Sequence, residues 1–400
     1  MTISRRWFSR GVGVVLFSVV VATGYGSEFH VATGDVYEVY SQISREHAEA
    51  TVTKLEALST LYNEYFRFET EELPSELRVR IFDRRGEFDR YLSDRIDVSR
   101  DEFVYLHFTD AARSELVGYA MDDEETYRAS MVHQSVVQFI RAFIPNPPLW
   151  LREGFAVYFE ESRFDPERGE AEFRKNTAWI EPLQNLLDER IGELFAPSEF
   201  VTLSADDAAS RLETFYAQAW GAVSFLSNAE ESRHNRILWD AIGALEPDAS
   251  ARRNAELVER KALRWIDEEE LATAFSEYVE GLQTFRTLVE RGIEAYADER
   301  LEIAEDRFRA AIERRADSHV PWYYLGLIHY TRGEFVDARA YYEAARDRGA
   351  DEALTLYALG LNAFGADERH DAVEYLRAAA ETDPARYEER TESLIEQLDS

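Results

Sequence analysis

The chain has no cysteine. That removes disulfide frameworks, thiolate metal sites, cysteine nucleophiles and a lipobox anchor, so any metal would have to be held by histidine and carboxylate. Positive charge is scarce: 45 Lys and Arg stand against 78 Asp and Glu, a formal charge of −33. A field of that sign repels phosphate backbones and anionic headgroups, which argues against nucleic acid as a partner. No apolar run is comfortably long enough for a bilayer; the stretch from about Val12 to Val21 falls short of the ~20 residues a spanning helix needs. There is no glycine-rich phosphate loop and no G-x-S-x-G elbow. Apolar and aromatic side chains are plentiful, at 45% and 13% of 400 residues. They suffice for packed cores and, at roughly 150 residues per domain, for two or three units.

Residues 1–26 join a basic head (Arg5, Arg6, Arg10) to that short apolar run and to small residues at Ala22, Gly24 and Gly26. This is the pattern of a secretory signal peptide, so the chain is expected to be exported to the periplasm or cell envelope. An uncleaved N-terminal anchor is the alternative. Ser4-Arg5-Arg6-Trp7-Phe8 also has the form of a twin-arginine signal, which leaves the export route open. Losing the three arginines makes the mature chain more acidic still.

From about Phe285 the sequence repeats with a period of 34: Gly292, Gly326 and Gly360 fall in register, as do Ala304, Ala338 and Ala372, then Phe308, Tyr342 and Leu376, then Ala311, Ala345 and Ala379. The middle unit carries Trp322, Leu325, Gly326, Ala338 and Tyr342 at W-x2-L-G…A-x3-F spacing, and Pro384 closes the third. Small residues let two antiparallel helices approach, and the aromatic fills the space between them. This pattern resembles the tetratricopeptide repeat (TPR) family and implies an all-α solenoid of three repeats over 284–384, with a capping helix over 385–400. In that register the groove-facing positions include Val289, Ile293, Tyr296, Tyr323, Leu327, Tyr330, Tyr357, Leu361 and Phe364. The Lys and Asn set with which some relatives clamp a terminal carboxylate is missing. An amphipathic helix or extended apolar segment of a protein partner is the expected ligand. The alternative is that these side chains pack on one another or on the C-terminal helix.

Between the signal and the repeats, alternating apolar residues predict strands at Phe29–Ala32, Leu77–Phe82, Phe103–Phe108 and Leu116–Met121. Helical periodicity covers Val36–Phe66, Gly86–Ser93 and Thr126–Ile144. After Pro145-Asn146-Pro147-Pro148 a further helix begins near Leu149, and helices dominate from there to Leu282. Strands followed by a helix-rich part indicate an α+β domain over 27–283.

Within it, MVHQSVVQF (131–139) and PLWLREGFAVYFE (148–160) resemble the gluzincin metallopeptidases, in particular the peptidase-MA-like branch often fused to TPR arrays. In that family one helix bears H-E-x-x-H and a following helix bears the third zinc ligand. Histidines at i and i+4 share a helix face and converge on the metal, while the Glu polarises the bound water. The resemblance places His133 at the first ligand and Glu153 at the third. Gln134 stands where the general base belongs and Val137 where the second ligand belongs. Gln accepts no proton, and loss of a positioned base removes ~10²–10⁴ in rate; Val has no lone pair. The resemblance therefore implies a degenerate, non-catalytic domain with no cofactor, in which His133 and Glu153 hydrogen-bond each other. The alternative is a zinc peptidase with an atypical ligand set, His107 being the remote candidate. Tyr216, in a stretch that resembles the family's helix after the site, is the position to examine for oxyanion stabilisation.

Overall fold

The computed structural model describes residues 28–96, 100–187 and 193–399. The expected signal peptide at 1–26 lies outside them. The chain divides into two compact units between Gly281 and Leu282.

The first unit opens with strands β1 (His30–Thr33) and β2 (Tyr37–Ser41), then helix α1 (Arg45–Phe66). The helix expected from Val36 therefore starts nine residues later. Tyr37, Val39 and Ser41 are buried while Glu38 and Tyr40 are half-exposed, the two-residue alternation of a strand. Ser44 then caps α1 by accepting the His47 N–H at 3.0 Å. Strands β3 (Leu77–Phe82), β4 (Val104–Leu106) and β5 (Glu115–Tyr119) complete a five-stranded sheet of order β1-β2-β3-β5-β4. Its three central strands run parallel and both edges antiparallel. Helix α2 (Arg85–Ile96) follows β3.

Helices α3 (Glu124–Phe143) and α4 (Leu149–Phe159) come next. Aromatic rings lock both to α1: Tyr62 lies 6.0 Å from Phe139 and 5.0 Å from Phe159, and Phe66 lies 4.6 Å from Phe155. The buried Tyr62 hydroxyl shares a 3.0 Å hydrogen bond with Ser135. A small hairpin, β6 (Arg163–Asp165) and β7 (Glu170–Glu172), interrupts the region where helices were expected to dominate. The turn Asp165–Gly169 between them, with Gly169 at φ +68°, supplies the reversal. The unit ends in α5 (Ile180–Asn185), α6 (Pro197–Thr202), α7 (Ala205–Ala209), α8 (Leu212–Asn228), α9 (Ser232–Gly243), α10 (Ala251–Val258) with a π-helical turn to Leu263, and α11 (Glu268–Gly281). Among the described residues no helix is long and apolar enough to cross a membrane.

The second unit is a row of helices: α12 (Phe285–Ala297), α13 (Leu301–Arg314), α14 (His319–Thr331), α15 (Phe335–Asp347), α16 (Glu352–Gly365), α17 (Arg369–Thr382) and α18 (Pro384–Asp399). Each repeat is clasped the same way. A Cβ on Gly292, Gly326 or Gly360 would meet the ring of Phe308, the ring of Tyr342 or the side chain of Leu376 at 2.8, 2.5 and 2.8 Å. The second helix of each pair thus lays its largest side chain directly on the backbone of the first. The turn between the helices needs one left-handed residue, filled by Glu299 (φ 59°), Gly333 (φ 75°) and Asp367 (φ 60°), again 34 apart. Only glycine takes that conformation without a steric cost. Glu299→Gly and Asp367→Gly are each expected to raise unfolding free energy by about 0.5–1 kcal/mol. Gly333→Ala should lower it by a similar amount; urea titration of the three variants checks both directions.

Candidate functional site

Three residues of the first unit form a largely buried ionic cluster. His133 on α3 stands between a carboxylate of α4 and one at its C-cap, with Nε2 3.4 Å from Glu153 and Nδ1 3.2 Å from Glu160. Glu153 and Glu160 are seven residues apart, so a single helix face presents both. Each carboxylate has its own support. Arg152 contacts Glu153 at 2.7 Å, and the Tyr216 hydroxyl on α8 donates to it at 3.4 Å. Asn176 donates to Glu160 at 2.8 Å, and Arg128 donates to the Glu160 backbone carbonyl at 2.7 Å. Gly154 makes the Tyr216 contact reachable: a Cβ there would meet the Ala219 carbonyl at 2.7 Å, so only glycine lets α4 come this near α8.

The electrostatics follow from this cage. Burial opposes charge on His133, but its hydrogen bonds to Glu153 and Glu160 outweigh burial and raise the imidazole to about 9. Burial alone would raise Glu153; the hydrogen bond to His133 and the Arg152 charge instead lower it to about 2. Burial, then the Glu153 charge, raises the Tyr216 phenol. At neutral pH the cluster is an imidazolium between two carboxylates, and neither His133 nor Glu153 is poised to move a proton near pH 7.

Zinc meets an incomplete donor set here. His133 Nε2 and Glu153 lie 3.4 Å apart and could share an ion, with Glu160 on the other ring nitrogen, but among the described residues no third histidine or carboxylate joins both within 4.8 Å, one ligand short of a catalytic zinc site. Val137 is buried and offers no lone pair. Gln134 accepts the Tyr105 backbone N–H at 3.2 Å and ties α3 to β4. His107 does not complete the set. Among the described residues the one group of three ligating side chains with atoms within 4.8 Å is His329, Glu334 and Asp337 in the second repeat. His329 is buried there, its ring tilted against Tyr341 at 4.9 Å and lying 2.6 Å from Glu334.

In the second unit Tyr323, Leu327, Tyr330, Tyr357 and Leu361 line one cavity of about 180 Å3. All five are half-buried. Tyr296 and Phe364 lie elsewhere: Tyr296 packs edge-on against Tyr324 at 5.6 Å, and Phe364 against the cluster of Leu376 and Leu398. Helix α18, the C-terminal helix on which the sequence allowed the trough to pack, adds Arg386, Tyr387 and Arg390 to the cavity wall, three residues the sequence did not single out. Tyr387 is buried with its ring 4.9 Å from Tyr357, so the C-terminal helix covers part of the trough. Glu160, Asn176 and Arg128 were also missed in the first unit. The sequence signals for Glu160 were its place at the end of the 148–160 stretch that carries the resemblance and its spacing of seven from Glu153, but no role was given to it.

A family model described as "Protein of unknown function (DUF1570)" matches residues 125–241, which run from α3 to α9 and contain His133, Glu153, Glu160 and Tyr216. No curated protein matches the chain. Among solved structures it is similar to the crystal structure of the P58(IPK) TPR domain, at 11% identity over 68% of this chain and a TM-score of 0.27. The chain spans 60% of the length of that structure. The C-terminal helical repeats fit the tetratricopeptide pattern, which stands on their own 34-residue geometry.

Linkage makes the ionic cluster testable. The folded value of His133 lies above its ordinary ~6.5, so its stabilisation is complete below that pH and is lost as pH rises through about 9. Glu153 is shifted the other way: its contribution is present above ~4.3 and is lost as pH falls toward about 2. Between pH 6 and pH 9.5 the native chain should lose on the order of 3 kcal/mol relative to His133→Gln. Urea unfolding of both proteins across that range checks it. Equal alkaline limbs would show that His133 is not held as an imidazolium.

Proposed function

We propose that this chain is an exported, non-catalytic scaffold: a degenerate peptidase-MA-like domain joined to a three-repeat TPR unit that holds a protein partner in the cell envelope. The observation that carries the reading is the half-buried wall of Tyr323, Leu327, Tyr330, Tyr357 and Leu361 around one cavity. Tyrosine supplies contact area with little side-chain entropy to lose, so such a wall suits an apolar helix or extended segment of another protein. Support for a silent first unit comes from the residues around His133. Gln134 holds a strand, Val137 is apolar, and among the described residues no third ligating side chain joins His133 and Glu153. Export rests on the 1–26 sequence pattern alone.

Two measurements test the proposal. Recovery of partners from envelope extracts should fall by about tenfold with Tyr323→Ala plus Tyr330→Ala, while the far-UV spectrum of the array stays unchanged. Undiminished recovery would remove the groove from the proposal. The purified chain should carry no stoichiometric zinc. One zinc per chain, lost in both His133→Ala and Glu153→Ala, would overturn the non-catalytic reading and favour a gluzincin-type zinc peptidase with an atypical ligand set.

A further inference from the structure

A cavity of about 310 Å3 in the first unit is lined by Tyr105, His107, Ser114, Gln138 and Arg141, with apolar walls that include Leu77 and Phe108. Its polar groups are incompletely paired. Gln138 is 1% exposed; its amide nitrogen donates to the Arg78 carbonyl at 2.9 Å, which fixes the orientation of the amide, and its Oε1 has no hydrogen-bond partner. His107 Nδ1 is buried and unpartnered as well. Burial, then the charges of Arg141 and Arg152, lowers His107 to about 4, so the ring is neutral and adds no charge of its own.

Arg141 is the unusual member. In a chain with 78 acidic residues it makes no ion pair among the described residues. Its Nε donates to the Pro145 carbonyl at 2.9 Å, which leaves the two terminal nitrogens of the fork for another acceptor. Burial, then the repulsion of Arg152, pushes Arg141 down to about 10, as happens to a cation short of a counter-ion. Gln138 and Arg141 are three residues apart on α3 and so are neighbours on one helix face. An acceptor that wants a donor therefore sits beside a fork that wants an anion.

We propose that this cavity holds the C-terminal end of a peptide, with the carboxylate on the Arg141 guanidinium and the N–H of the last residue on Gln138 Oε1. The apolar walls take an apolar last side chain, and the volume suits one or two residues. Glu76 and Asp248 are exposed at the same cavity and repel a second acidic residue on the ligand. A free N-acylated amino acid presents the same pair of groups, so the test includes one. The inference goes beyond the repeat groove and does not rest on it.

The experiment is calorimetric titration of the full chain with acetyl-Ala-Leu, its C-terminal amide and acetyl-Leu. The acid should bind at least about tenfold tighter than the amide, because a charge-assisted bidentate pair is lost in the amide. Arg141→Gln should abolish that ratio. Gln138→Leu should weaken acid and amide alike and leave the ratio standing. Should Arg141→Gln fail to fold by circular dichroism, Arg141→Lys decides, since it keeps the charge, loses the fork and must shrink the ratio. Acetyl-Leu binding as tightly as acetyl-Ala-Leu supports the same chemistry with the smaller ligand as its source. Tyr323→Ala plus Tyr330→Ala should leave every titration unchanged, which separates this site from the groove. No binding of any probe, equal affinity for acid and amide, or an undiminished ratio in the folded Arg141 variants would each overturn the proposal.

Discussion

The imidazolium of His133 between Glu153 and Glu160 is the contact on which the arrangement of α3 and α4 turns. Two carboxylates on one helix face, mostly removed from water, repel each other and pay a desolvation cost of several kcal/mol each (~). A single protonated ring between them relieves both. Its hydrogen bonds overcome the effect of burial on its own titration, as the raised value of about 9 records. Arg152, Asn176 and Tyr216 then finish the carboxylates from the same helix, a loop and a neighbouring helix. Removing one member of such a set leaves buried charge uncompensated, which is why the cluster holds three segments of the chain in place.

The second unit is held by a different means. There, shape does what charge does in the first: a glycine on one helix receives a ring or a leucine from the next, three times over. Every such pair depends on neighbours only, so stability accumulates along the row. Helix α18 ends the row and also narrows the trough by placing Tyr387 against Tyr357.

The repeats were the most legible part of the sequence because their constraint is periodic: a residue that must be small recurs at a fixed interval. The helix pairs follow that register throughout, and even the left-handed turns at Glu299, Gly333 and Asp367 obey it. Strand β2 was misread because Tyr37–Ser41 runs straight into the apolar period of α1, and the helix signal overrode five alternating residues. The hairpin β6–β7 was invisible because its strands are three residues each and mostly polar. In the ionic cluster, the resemblance gave His133 and Glu153 a role, but it gave Glu160 none. Its role depends on which way the imidazole turns, and a histidine has two nitrogens that sequence does not tell apart. Arg386 and Arg390 were not named for a related reason: the C-terminal helix could be placed on the trough from the sequence, but which of its edges borders it depends on how the helix turns.

Gln134 has a consequence beyond the proton it cannot accept. Strand β4 forms an edge of the sheet, and an edge ordinarily offers its outward backbone groups to any extended chain that approaches. Here the Tyr105 N–H is already taken by the Gln134 side chain. A strand trying to align itself along β4 would have to break that bond before making its own, so a single amide keeps this border of the sheet from recruiting strangers.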